Sequence, residues 1–125
     1  MIAHLVLFRP RGDLTSSERE SLADAFGAAL REIPSVRRAQ VGRRFTHGRG
    51  YEQLMRVNYE YAAVLEFDDA AGLLAYLEHP AHRDLGERFF SAFEEALMYD
   101  YELQEGHDGV AAALRSAEPG SGSSH

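Results

Sequence analysis

Ile2 to Phe8 is apolar except for His4 and ends at Arg9-Pro10. A run of this length and character predicts a central strand buried on both faces. Successive strand side chains point to opposite sides, so His4, Val6 and Phe8 share one face, and Ala3, Leu5 and Leu7 the other. Thr15-Ser16-Ser17-Glu18 has capping-box spacing. After it, Leu22, Ala25, Phe26, Ala29, Leu30 and Ile33 recur as one helical stripe, which Pro34 stops. Residues 36 to 45 alternate loosely around Gly42 and predict a second strand, bent or bulged, while 46 to 58 read as a loop or long hairpin connection.

Tyr59 to Phe67 is rich in β-branched and aromatic residues and predicts the third strand, with Ala63, Leu65 and Phe67 on one face. Asp68 or Asp69 can cap a short helix through Leu73, Leu74 and Leu77, which Pro80 ends. Pro80 or Ala81 then opens a second helix to about Glu95, with His82, Leu85, Gly86, Phe89 and Phe93 on its inward stripe. Leu97 to Leu103 alternates as a fourth strand, placing Leu97, Tyr99, Tyr101 and Leu103 opposite Met98, Asp100 and Glu102.

The order β-α-β-β-α-β is the split βαβ arrangement of an α+β, ferredoxin-like fold: a four-stranded antiparallel sheet with helices on one face. One domain over residues 1–104 accounts for the pattern, and residues 105–125, Pro/Gly/Ser-rich from Glu118 on, are expected to form a disordered tail. Helices on one side leave Leu5, Leu7 and Val64 on the other in need of a cover, and a second copy of the sheet is the simplest one.

Composition removes several functions. With no Cys, disulfides, thiolate metal sites and cysteine nucleophiles are excluded. Thirteen arginines and no lysine face twenty acidic residues, a net charge of −7, which argues against nucleic acid or a membrane as the main partner. Ile2 to Phe8 is too short to span a bilayer and lacks the features of a secretory signal, so a cytoplasmic location is expected. No phosphate loop, dinucleotide fingerprint or G-x-S-x-G occurs, and no cofactor or metal is expected.

The candidate chemistry lies in Tyr76-Leu77-Glu78-His79-Pro80-Ala81-His82. An imidazole oriented by a carboxylate is a general base, and a nearby phenol can hydrogen-bond a developing oxyanion. His82 lies on an inward stripe, and His4 enters the same layer if its face meets the helices. Asp100, mid-strand, faces either the helices or the opposite side, and periodicity does not decide which. The same residues also suit a hydrogen-bonded structural network, with His79 serving as a helix cap.

Met1 to Phe8, Ile33-Pro34-Ser35-Val36, Glu66-Phe67 and above all Tyr76 to His82 resemble the stress-responsive dimeric A/B barrel (Dabb) family over residues 1 to about 104. The resemblance implies a homodimeric α/β barrel. It is carried furthest by family members of the olivetolic acid cyclase type, whose Y-x5-H pair performs an aldol cyclisation without a cofactor. Tyr76 and His82 match that pair, Asp100 matches the carboxylate that orients the histidine, which implies that it faces the helices, and His4 matches a pocket histidine. Phe26 stands where the cyclase has a tyrosine. The expected catalytic set is thus His82, Tyr76 and Asp100, around a small apolar, oxygen-bearing ligand held by His4, Val6, Phe8, Phe26, Ala63, Leu77, Leu85 and Met98. The alternatives are a non-enzymatic stress-response or ligand-sequestering protein and a cofactor-free monooxygenase.

Overall fold

β1 (Ile2–Pro10) lies inside the sheet of the computed structural model, which describes residues 1–115. The strand order is β2-β3-β1-β4, with β2 spanning Arg38–Arg43, β3 Tyr61–Phe67 and β4 Phe93–Glu102, all neighbours antiparallel. The helices are α1 (Ser16–Glu32), α2 (Ala70–Glu78), α3 (Pro80–Ala92) and α4 (Gly106–Arg115). This is the ferredoxin-like arrangement expected from the order of elements.

Local chemistry sets the helix boundaries. The Thr15 hydroxyl accepts from the Glu18 N–H at 3.1 Å and the Glu18 carboxylate accepts from the Thr15 N–H at 2.9 Å, closing the capping box. Asp69, one of the two candidates, caps α2 by accepting from the Gly72 N–H at 2.9 Å. His79 joins two helices: its N–H donates to the Tyr76 carbonyl at the end of α2, and its Nδ1 accepts from the Ala81 N–H at the start of α3.

The core forms between the inner faces of β1 and β3 and the helices, where Phe67 and Leu65 are fully buried beside Ala29, Ile33 and Tyr76. Each large side chain there contributes about 2–3 kcal/mol by leaving water. His4 is among these buried residues, at 6 % exposure.

The structure departs from the sequence pattern in three places. β2 runs in unbroken register from Arg38 to Arg43, and the ladder irregularity falls instead at Arg9/Pro10, where a proline cannot donate. α3 ends at Ala92 rather than about Glu95, and β4 follows without a loop. Phe93 keeps the helical spacing because its ring packs on Phe89 and Phe8, with centroids 4.3 and 4.7 Å apart. The tail expected to be disordered from residue 105 is helical over Gly106–Arg115, entered through Gly106 at φ 64°. The Pro/Gly/Ser-rich stretch 118–125 lies outside the described residues.

Candidate functional site

His4 sits opposite Asp100 across the β1–β4 ladder and opposite Leu65 across β1–β3. Register therefore puts all three on the helix side of the sheet. His4 Nδ1 and Asp100 Oδ1 are 2.6 Å apart. With the carboxylate accepting, Nδ1 carries the proton and Nε2 is left as an acceptor. A buried imidazole without a partner would cost about 1–3 kcal/mol, and Asp100 removes that penalty. The expectation that Asp100 orients His82 is therefore corrected. The carboxylate does face the helices, but its place in the ladder commits it to His4.

α2 and α3 supply the other two polar groups. Tyr76, 3 % exposed, lies between the imidazoles, with its ring centroid 5.8 Å from His4 and 4.6 Å from His82. Burial pushes its phenol up to about 12, so it remains a proton donor across the physiological range. No group among the described residues hydrogen-bonds its hydroxyl. Burial, and then repulsion from His4 when that ring is also protonated, hold His82 below its ordinary 6.5, opposed by the Leu77 backbone. His82 is thus a neutral base at neutral pH.

These three rings meet a cavity of about 140 Å³ whose other walls are apolar: Val6 and Leu65 from the sheet, Leu77, Leu85 and Phe89 from the helices, and Phe26 from α1. Met98 and the largely exposed Phe90 also line it. Gly86 lies between His82 and Phe90 on one i, i+4 ridge, and the missing side chain there leaves open space. A larger groove of about 550 Å³ between α1 and α3 is lined by the Arg11–Glu18 ion pair and by Arg88, which pairs with Asp84. Only the smaller cavity combines an apolar enclosure with shifted titratable groups.

Of the expected ligand-binding residues, His4, Val6, Phe26, Leu77, Leu85 and Met98 line the cavity. Phe8 and Ala63 do not. Phe8 packs against Tyr61, Phe89 and Phe93 beside a separate apolar cleft, and Ala63 is closed off in the core. Leu65, Gly86, Phe89 and Phe90 line the cavity without having been singled out as ligand-binding. Phe90 carried a signal, four residues beyond Gly86 and eight beyond His82. Leu65 depended on strand register. Among the described residues no cluster of His, Cys, Asp and Glu is arranged to hold a metal ion, and the Nδ1 of His79 is committed to its cap.

Phe26 also borders the second cleft, of about 230 Å³, and is the side chain the two spaces share. Phe26→Ala is expected to join them and admit longer apolar ligands, gaining about fourfold in affinity per added methylene at about 0.8 kcal/mol each. Titrating a series of linear alkyl ketones checks this, and an unchanged length limit would show that Phe26 is not the dividing wall.

The sequence profile described as "Stress responsive A/B Barrel Domain" matches residues 2–103. Olivetolic acid cyclase from Cannabis sativa is 22 % identical over 103 residues, 80 % of this chain and 94 % of that protein. The fold is similar to hydroxynitrile lyase from Passiflora edulis, with a TM-score of 0.68 and 19 % identity over 84 % of this chain and 94 % of that one. It is also similar to a dimeric ferredoxin-like protein from Thermobifida fusca, with a TM-score of 0.64 and 24 % identity over 82 % and 90 % of the two chains. At these identities the structural likenesses carry the fold and not a reaction.

Proposed function

The chain belongs to the stress responsive A/B barrel family, and from that premise we propose that it is a homodimeric, cofactor-independent acid–base enzyme for a small, largely apolar carbonyl compound. The observation that carries this reading is the convergence of His4, Tyr76 and His82 on an otherwise apolar cavity. His82, neutral because it is desolvated, takes a proton from the carbon next to the carbonyl. The electron pair moves to the carbonyl oxygen, where the Tyr76 hydroxyl donates to the enolate. His4, fixed through Asp100, offers Nε2 to a second polar group of the ligand. The enolate is then reprotonated, or attacks a second carbonyl to form a carbon–carbon bond whose alkoxide takes the proton back.

Volume limits the substrate. About 140 Å³ is close to the roughly 150 Å³ apolar cavity that holds benzene in an engineered protein, so the enclosed part of the ligand is of that size. A larger molecule would extend past Met98 and Phe90.

Incubating the protein with small apolar ketones in D2O, and following loss of the α-proton signals by NMR, tests the reaction class. Exchange well above the buffer rate is expected. Tight binding without exchange would make this a sequestering protein, and absence of both would remove the site.

A further inference from the structure

The net charge of −7 hides a segregation. Residues 43–56 hold Arg43, Arg44, Arg49 and Arg56 against one acid, Glu52, a local charge of +3 that leaves −10 on the rest of the chain. None of the four arginines forms an ion pair among the described residues. Arg44 donates to the neutral Asn58 side chain and Arg43 lies 5.9 Å from the centre of the Tyr61 ring.

The same loop exposes large apolar side chains: Phe45 at 82 %, Leu54 at 74 %, Tyr51 at 63 % and Met55 at 54 %. They do not fold back, because a local network fixes the backbone. The Glu52 carboxylate accepts from the N–H groups of His47 and Gly48 at 2.9 and 2.7 Å, and His47 Nε2 meets the Tyr51 hydroxyl at 2.6 Å. The turn needs φ 75° at Gly48, a conformation that glycine adopts without strain.

We propose that this β2–β3 loop docks the protein on anionic lipid surfaces, its apolar side chains entering the headgroup boundary and its arginines meeting lipid phosphates. Excess positive charge beside projecting apolar groups matches the two signals that reversible peripheral attachment requires. Projecting side chains suit a fluid interface, whereas a folded partner would have to supply pockets for each of them. The remaining negative charge keeps the attachment weak and confined to the loop. The inference is independent of the proposed chemistry.

Co-sedimentation with phosphatidylglycerol-containing vesicles and with pure phosphatidylcholine vesicles, at low and high salt, tests it. Binding to the anionic vesicles alone is expected, released by salt and weakened about tenfold or more in Arg49→Glu/Arg56→Glu, a charge effect. Phe45→Ser/Leu54→Ser should also release the protein, with unchanged circular dichroism in both variants. Equal binding to neutral vesicles, binding to neither, or full retention by the variants overturns the proposal. Salt-sensitive capture of single-stranded polyuridine without vesicle binding would likewise overturn it, in favour of nucleic acid.

Discussion

His82→Ala is expected to lower the rate of α-proton exchange about 10²–10⁴-fold, the range ordinarily supplied by a positioned general base, while the protein stays folded. Folding should survive because the ring borders a hollow and makes no core contact comparable to those of Phe67 or Leu65. Acidity gives a second readout. His82 is held below 6.5, so exchange should fall on acidification with a midpoint under that value. Stability should follow the same sign. Below 6.5 the unfolded chain binds a proton that the folded site resists, so stability is lost as pH falls through 6.5 toward the folded value. Tyr76 acts at the other end. Its phenol ionises near 10 when unfolded but at about 12 when buried, so folding weakens as pH rises above 10. NMR exchange rates and thermal melts across pH measure both. Full activity in His82→Ala together with loss in His4→Ala would transfer the role of base to the His4–Asp100 pair.

Elements were legible where a single periodicity dominated. The apolar run of β1, the capping box of α1 and the His-Pro junction between α2 and α3 are each local signals, and each element stands where its signal placed it. The cavity was legible in part, because the α3 stripe brings His82 inward by spacing alone. Partnership was not. Whether Asp100 meets His4 or His82 is set by the β1–β4 register, a pairing between residues 96 positions apart that no local signal encodes. Ala63 and Phe8 share the inner face with Val6, but α1 and the aromatic cluster close over them, and alternation gives the face without giving its cover. α4 was not legible because its ten residues begin at a glycine and expose Val110 and Leu114. The loop's charge was lost in an average over the whole chain.

Leu7→Asp is expected to turn the proposed dimer into a folded monomer. On the face away from the helices, Leu7 lies between Ala62 and Leu97, and Leu5 between Val64 and Tyr99. Leu97, Tyr99 and Tyr101 remain 37 %, 52 % and 50 % exposed there, an apolar surface without a cover in one chain. In a two-fold interface every residue acts twice, so one substitution buries two carboxylates. At about 2–3 kcal/mol for each unpaired group, the dissociation constant rises about 10³–10⁴-fold. The monomer should keep its circular dichroism, because the outward face of β1 is not part of the helix-side core. Sedimentation velocity at micromolar concentration separates the species. A monomeric wild type, or a variant that remains dimeric, would mean that this face meets something other than its own copy. The consequence reaches the cavity, because β1 carries Leu7 outward and His4 inward on one backbone. Without a second sheet to brace it, the β1–β4 edge that aligns His4 with Asp100 loses support, so the monomer should bind ligand more weakly even though no residue of the cavity has changed.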